Sequence, residues 1–208
     1  MKMKKKTKKI LIIILILLLI LLGYLIYTKV IKKDNVKESK VIAEIDDFGY
    51  ELRDNKDERY KKMFKELQDI LKEKEVDYDK YASKISEMFI YDFYSLDNKL
   101  AKNDIGGVDF IYPDALSNFL TNAESTYYKY VESNIYGNRN QSLPLVDEIT
   151  VGDINKTEFA VGDTNVDDAM EINVTWTYTS DSFSDYQKSA TLTLIKDKKK
   201  LYIVQLDK

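Results

Sequence analysis

The sequence predicts an α+β protein: an N-terminal transmembrane helix, then about three helices packed on a curved antiparallel sheet of about four strands. Three observations lead to this prediction. An unbroken apolar run follows a cluster of lysines near the N-terminus. Stretches with apolar residues at helical spacing occupy the middle of the chain, and alternating polar and apolar residues follow Pro144. Helices first and an antiparallel meander afterwards is an α+β order.

The composition limits the kinds of chemistry that this chain can perform. Of its 208 residues, those beyond the first thirty or so are enough for one domain with a core. The chain has no cysteine and no histidine. This excludes disulfides, thiolate nucleophiles, Ser-His-Asp triads and the standard catalytic zinc sites. The sequence therefore predicts no catalytic residues, no metal and no cofactor.

Charge is distributed very unevenly along the chain. Residues 1–33 carry nine lysines and no acidic residue. Without those nine, 23 basic residues face 35 acidic ones, so residues 34–208 carry a net charge of about −12. A domain this acidic is repelled by phosphate backbones, so we expect no nucleic-acid partner.

The apolar run predicts a membrane anchor. It begins at Ile10, continues unbroken to Leu22 and extends to Thr28, which at 1.5 Å per residue gives roughly 28 Å of helix. Tyr24 and Tyr27 lie where an interfacial aromatic belt is expected. Six lysines precede the run and three follow it, which predicts a cytoplasmic N-terminus. A cleaved signal peptide is the alternative, but no small-x-small cleavage site follows the run.

These features predict the domain organisation and location of the protein. We expect a basic cytoplasmic stub at residues 1–9, a transmembrane anchor at 10–31, a juxtamembrane linker at 32–42 and an extracytoplasmic α+β domain at 43–208. The expected location is the plasma membrane, crossed once, with the lipid bilayer as a partner.

Three helices are predicted from apolar spacing. The first, capped by Asp54 or Asn55, has one apolar face made by residues 60, 63, 64, 67, 70 and 71. The second begins after Asp77 as N-cap and is apolar nearly all round between residues 88 and 94, so it should be the most buried. The third begins at Pro113 and ends near Gly137.

The second half of the domain predicts strands. Met170 to Tyr178 alternates five times between an apolar and a polar face, which is typical of a half-buried strand. Residues 189–194 and 201–206 form a hairpin around a lysine-rich turn. A longer strand pair is predicted over Val146–Val161, with Gly152 at a bulge. We expect the helices to cover the face that carries Trp176.

Two resemblances follow from these patterns. The segments FGYELRDNKDERYKKMFKEL, FIYDFYSLDNKLAKNDIGGVDFIYPD and YKYVESNIYGNRNQSLP resemble those of uncharacterised membrane-anchored proteins of low-GC Gram-positive bacteria. The order of elements resembles the cone-shaped nuclear transport factor two-like superfamily. Membrane-anchored examples of similar layout are the periplasmic domain of the type IV secretion assembly factor and conjugation proteins of Gram-positive bacteria. The resemblance implies a scaffold or binding module and carries over no functional residue.

Asp92 is the first candidate site residue. It lies on the apolar face of the second predicted helix, with Phe89 three residues before it. A carboxylate there must be hydrogen-bonded, paired or protonated. One interpretation is a ligand contact in a pocket that Phe89, Trp176 and Tyr178 also line. The other is a structural acceptor for backbone N–H groups of the 102–108 loop, which contains Gly106 and Gly107.

Further candidates come from the aromatic residues and one acidic loop. Tyr128 and Tyr136 are candidates for an interface, where tyrosine is favoured, while Tyr127 and Tyr130 are expected to reach the core. Residues 163–168 alternate oxygen-bearing side chains as calcium loops do, but Asp168 stands where such a loop needs glycine. A polar turn between strands is the better interpretation.

The leading functional hypothesis is a non-enzymatic interaction or scaffold module of the cell envelope, with an envelope protein as partner. The contrasting hypothesis is a small-ligand or peptide sensor that uses the pocket of the cone. A carboxylate-dependent hydrolase of wall polymers ranks last, because it needs two acids roughly 5–10 Å apart on one cleft and Asp92 has no evident second acid. The sequence leaves open whether the chain forms a homo-oligomer.

Overall fold

The computed structural model describes residues 14–25 and 39–207. They belong to two units, residues 1–39 and residues 40–208. In the first unit, residues 14–25 form helix α1, and Leu22 and Tyr24 are 55% and 63% exposed. The predicted basic stub and the anchor residues Ile10 and Tyr27 lie outside the described residues.

The prediction of a membrane-spanning helix is contradicted. The described part of α1 has twelve residues, which at 1.5 Å per residue extend about 18 Å, whereas the hydrocarbon core of a bilayer is about 30 Å thick. Across residues 14–25 and 39–207, no helix is both long enough and apolar enough to cross a membrane. This finding overturns the expected transmembrane helix and counts against the expected single-pass location in the plasma membrane.

The second unit is α+β, as the element order predicted. Its helices and strands occur in the following order: β1 (Val41–Ile45), β2 (Tyr50–Arg53), α2 (Glu58–Leu71), α3 (Tyr78–Tyr94), α4 (Pro113–Ser125), β3 (Val146–Val161), β4 (Thr164–Tyr178), β5 (Ser189–Asp197) and β6 (Lys200–Asp207). Strand β1 begins inside the stretch that was predicted to be a linker.

Side-chain caps determine where α2 and α3 begin. The Asp57 carboxylate accepts the backbone N–H of Tyr60 and so caps α2, two or three residues later than predicted. The Asp77 carboxylate accepts the N–H groups of Asp79 and Lys80, which confirms it as the cap of α3. These oxygens satisfy amides that have no partner within the first helical turn.

Helix α4 is shorter than its apolar spacing predicted. It begins at Pro113 as expected but ends at Ser125 instead of near Gly137. The hydroxyls of Ser125 and Thr126 both donate to the carbonyl of Asn122, and such local bonds compete with the helical hydrogen bonds. A run of turns replaces the predicted last part of the helix.

Strands β3 to β6 form one antiparallel sheet in chain order, and β1 and β2 form a separate hairpin. Val146–Val161 is a single strand paired with β4 rather than a strand pair. One register shift between β3 and β4 falls between Val151 and Ile154, where Gly152 predicted a bulge. The first part of β4 extends beyond β5, whose pairing with β4 covers Met170 to Thr175.

The core lies between the helices and one face of this sheet. Four of the five apolar residues of β4 predicted to share that face are buried, namely Met170, Ile172, Val174 and Trp176, and the fifth, Tyr178, is half-buried. They belong to one cluster with the apolar face of α2 and nearly the whole C-terminal half of α3. Residues 88 to 94 of α3 are all buried, which confirms this segment as the most buried helical stretch of the second unit.

Candidate functional site

Asp92 lies in the C-terminal half of α3 and is 7% exposed. The Lys99 ammonium donates to its Oδ1 at 2.6 Å, and the Lys56 ammonium donates to its Oδ2 at 2.6 Å. The backbone N–H of Gly107 also donates to Oδ2, at 2.8 Å. We call Asp92, Lys56, Lys99 and Gly107 the Asp92 cluster. The cluster joins the turn before α2, helix α3 and the loop that precedes α4.

The loop at Gly106 and Gly107 needs glycine for this contact. Gly107 has a φ of +75°, in the left-handed region, and a Cβ there would lie 2.5 Å from the Phe89 ring. A Cβ on Gly106 would lie 2.1 Å from the carbonyl oxygen of Asp92. Only a backbone without side chains can approach α3 this closely, so the two glycines bring the Gly107 N–H to the carboxylate.

The electrostatics of the cluster keep Asp92 ionised. Burial alone raises the pKa of this carboxyl, but the Lys99 and Lys56 ammonium groups outweigh burial and hold its pKa well below the usual range. The space beside it is about 20 Å³, roughly enough for one water molecule. Asp92 is therefore a charged structural acceptor, as the second interpretation expected, and no ligand-sized space adjoins it.

A larger cavity lies where α3 ends. Its volume is about 240 Å³, and it is bounded by the end of α3, the turns after α4, the segment around Pro144, the end of β4 and the loop before β5. We call it the tyrosine pocket because five tyrosines line it: Tyr94, Tyr127, Tyr130, Tyr178 and Tyr186. Most of its wall is apolar, and its lining contains no acidic or basic side chain.

The polar groups on one side of the pocket hold each other in place. The Tyr127 hydroxyl donates to the side-chain carbonyl of Gln187, and the Tyr178 hydroxyl donates to the Gln187 backbone carbonyl at 2.8 Å. The side-chain amide of Gln187 donates to Ser189 at 2.8 Å. Gln187 therefore joins the loop before β5 to the turns after α4 and to β4. Burial raises the pKa of Tyr178 to about 12.

Two buried polar atoms near the tyrosine pocket lack hydrogen bonds of this kind. Within residues 39–207, the Tyr94 hydroxyl and the Trp176 indole N–H form no hydrogen bond of ordinary geometry, although both residues are at most 4% exposed. The side chains of Tyr127 and Tyr178 lie near Tyr94 and Trp176, respectively. The two rings pack together with centroids 4.3 Å apart. Burial raises the pKa of Tyr94 well above its ordinary value, and the neighbouring Tyr127 raises it further. Unpaired buried polar groups of this kind are uncommon and call for an explanation.

The structure separates the four residues predicted to share one ligand pocket. Tyr178 lines the tyrosine pocket. Trp176 packs behind Tyr94 and Phe89 is fully buried in the core, while Asp92 belongs to its own cluster. Tyr94, Tyr127, Tyr130 and Gln187 were missed as pocket residues. The density of tyrosines in residues 127–136 was a sequence signal for Tyr127 and Tyr130, whereas Tyr94 and Gln187 lie outside that segment.

The two residues predicted to form an interface differ in their exposure to solvent. Tyr128 is fully buried, because its hydroxyl donates to the Phe93 carbonyl at 2.7 Å and accepts the Gly106 N–H at 3.1 Å. It therefore offers no surface to a partner. Tyr136 is 54% exposed, and Tyr130, which was expected in the core, is 75% exposed.

The acidic loop at residues 163–168 is mostly strand. Gly162 and Asp163 form the turn, and β4 begins at Thr164. In the part of the chain that the structure describes, no group of three or more acidic side chains is placed to hold a metal ion.

Comparison with known proteins identifies no relative of this chain. No protein-family model matches the sequence, and neither a curated protein nor a solved structure matches it. The resemblance to the nuclear transport factor two-like superfamily therefore stays a prediction, and the site rests on its own geometry.

Proposed function

We propose that residues 40–207 form a non-catalytic protein-interaction module, whose tyrosine pocket receives one uncharged apolar or aromatic side chain of a partner. The observation that carries this proposal is the pocket itself: a mostly apolar cavity of about 240 Å³ lined by five tyrosines. Anchoring side chains in well-packed pockets provide much of the binding energy at many protein interfaces.

The size of the pocket favours a side chain over a drug-sized molecule. Pockets for small molecules and cofactors usually measure about 300–1,000 Å³, and this one is smaller. Its rim is also suited to a protein surface, since Tyr130 is 75% exposed and Tyr186 is 48% exposed. Tyrosine is enriched at interfaces because it combines a large ring with a polar hydroxyl.

The chemistry of the wall favours an uncharged occupant. A charged group placed in this cavity would lose water and would find no opposite charge among the lining residues. The Tyr94 hydroxyl, which has no acceptor, favours an occupant that also brings a hydrogen-bond acceptor, such as a peptide carbonyl oxygen.

The charge arrangement also supports a non-catalytic role. A glycoside hydrolase of the usual kind needs two carboxyl groups on one cleft. The ion pairs that the structure describes for Asp92 are with Lys56 and Lys99. No carboxylate lines the tyrosine pocket.

A small ligand with a carbonyl group is the second candidate. The observation in its favour is the Tyr94 hydroxyl, which belongs to a residue that lines the pocket and which an acceptor oxygen in the pocket could satisfy. A compact amide such as N-acetylphenylalaninamide combines a ring with such an oxygen and is therefore a suitable probe.

The proposal is tested by filling the pocket. Thr126 lines it from the exposed rim, so Thr126→Phe places a ring in the cavity. Thr121→Phe is the matched control, because Thr121 is exposed on α4 and does not line the pocket. Short peptides are selected from a displayed library on the full chain, and their binding is followed by the fluorescence of Trp176, the one tryptophan in the sequence.

We expect the selected peptides to share an apolar or aromatic residue. They should bind the wild type and Thr121→Phe alike and bind Thr126→Phe at least about tenfold more weakly, a difference of about 1.4 kcal/mol. Equal binding to all three proteins would refute the proposal. If N-acetylphenylalaninamide alone binds as tightly as the peptides, the small-ligand candidate replaces it.

A further inference from the structure

We propose that the turn between β5 and β6 is a second binding site, and that it takes a doubly charged phosphate group. Lys198, Lys199 and Lys200 provide the charge, and the rings of Phe48 and Tyr202 form the walls of a cavity of about 460 Å³. We call this the lysine turn. It adjoins the start of α3, where the Lys196 ammonium lies over the Tyr78 ring, whereas the tyrosine pocket adjoins the end of that helix.

Lys200 is the central residue of this site. Its ammonium lies 4.2 Å from the centre of the Tyr50 ring and 5.0 Å from that of Tyr202, and it donates to the Gly49 carbonyl at 3.3 Å. Within residues 39–207 it forms no ion pair with a carboxylate. Burial lowers its pKa, and Asp109 only partly offsets this.

The positive charge of the Lys200 ammonium is available to bind an anion. Taking a charge out of water is costly unless an opposite charge replaces the water. The rings and the carbonyl provide part of that stabilisation but no formal negative charge. An anion bound in the cavity would supply the charge that is missing.

Lys198 gives an independent indication. It is the first residue of a two-residue turn between Asp197 and Lys200, and its φ is +55°. Glycine is preferred at such a position, because a side chain in the left-handed region is strained. A lysine here makes the turn harder to form, and its side chain lines the cavity.

The neighbouring acids define the charge of the ligand. Asp47 and Asp197 also line the cavity, and Lys199 pairs with Asp47 at 3.0 Å. Asp47 is 84% exposed, and exposed ion pairs of this kind are weak. A singly charged carboxylate would offer the lysines nothing that Asp47 does not already provide. A doubly charged phosphate binds ammonium groups more strongly and would displace it.

The test measures the binding of sodium tripolyphosphate to the full chain by calorimetry, with sodium chloride at matched ionic strength as the comparison. Lys200→Gln should weaken binding about tenfold, because one charged hydrogen bond is lost. Lys129→Gln is the matched control, since Lys129 also lies over a ring, that of Tyr130, but beside the tyrosine pocket.

Lys198→Gly separates function from folding. Glycine relieves the strain at φ +55°, so the melting temperature should stay the same or rise by about 2–4 °C. Binding of tripolyphosphate should nevertheless weaken severalfold. Unchanged binding by this variant and by Lys200→Gln overturns the proposal, and so does equal binding of chloride at the same ionic strength.

The source of the phosphate is decided by a second measurement. Vesicles of phosphatidylcholine, with and without phosphatidic acid, are sedimented with wild type and Lys200→Gln. If wild type binds the vesicles that contain phosphatidic acid and Lys200→Gln does not, the ligand is a lipid headgroup. Lysine-dependent binding of tripolyphosphate without this effect identifies a soluble phosphate. Neither result depends on the tyrosine pocket, so Thr126→Phe should behave as wild type in both measurements.

Discussion

Asp92 and Tyr94 are two residues apart on α3, yet their surroundings are opposite in kind. The Asp92 carboxylate is charged and receives hydrogen bonds from two ammonium groups and one backbone N–H. The Tyr94 hydroxyl is neutral and has no partner among the described residues. The space beside Asp92 is about 20 Å³, whereas Tyr94 lines a cavity of about 240 Å³.

This difference shows how a buried polar group should be judged. A buried charge attracts attention in a sequence, but the Asp92 charge is balanced within the fold, so it stabilises structure. Nothing in the sequence marks the Tyr94 hydroxyl, but it is buried without a hydrogen bond of ordinary geometry, and Tyr94 lines the tyrosine pocket. A structural site contains the hydrogen-bond partners of its buried polar group, and a candidate binding site lacks them. The charge of the group does not distinguish the two.

The largest expected effect comes from removing the charge at Asp92. Asp92→Asn keeps the shape of the side chain but leaves Lys99, which is 4% exposed, without a counter-charge. Breaking a buried ion pair from one side costs about 3–5 kcal/mol. We expect a loss of this size in the free energy of unfolding, measured by urea denaturation.

Two further variants make this measurement specific. Asp97→Asn is the control: its carboxylate is 49% exposed and pairs with Arg139 at 3.4 Å, so it should cost about 1 kcal/mol or less. Asp92→Asn combined with Lys99→Met should recover part of the loss, because no unpaired buried ammonium remains. If Asp92→Asn costs no more than Asp97→Asn, the cluster is not balanced as described.

A second expectation concerns acid. The lysines hold the pKa of Asp92 below its value in the unfolded chain, so its contribution to stability is complete above about pH 4 and is lost as the pH falls further. The urea midpoints of wild type and Asp92→Asn should therefore differ at neutral pH and converge in acid. A constant difference down to about pH 2 would contradict this account.

The smallest effects on stability are expected from removing the hydroxyl group of Tyr128 or of Tyr94. Tyr128→Phe leaves the Gly106 N–H and the Phe93 carbonyl without the hydroxyl that joins them, which should cost about 1–3 kcal/mol. Tyr94→Phe removes a hydroxyl that has no partner, so stability should change by less than about 1 kcal/mol or increase. Thermal unfolding of the two variants compares them directly, and an equal loss would show that Tyr94 is paired after all.

Features with a local cause could be predicted from the sequence. Asp77 was recognised as a cap because its carboxylate bonds to amides two and three residues away. The buried face of β4 followed from alternation, which depends only on the pleat of one strand. The bonding of Asp92 to the glycine loop was also foreseen, since a buried carboxylate must find donors.

Where the apolar spacing of α4 failed to predict its end, a competing interaction decided the outcome. The apolar spacing of α4 continues past Ser125, but hydroxyl bonds to Asn122 and the burial of Tyr128 end the helix there. Among the residues that the structure describes, the apolar N-terminal run forms a helix too short to span a bilayer.

The sequence by itself determined the α+β class, the order of helices α2 to α4 before the strands of the larger sheet, and the exclusion of cysteine and histidine chemistry. Only the tertiary structure decided that Lys56 and Lys99 meet at Asp92, that Tyr128 is buried, and that five tyrosines from separate segments enclose one pocket. The physical reason is distance along the chain. Helical and strand periodicity arises between near neighbours, whereas a pocket or a charge cluster depends on which distant segments the folded core brings into contact.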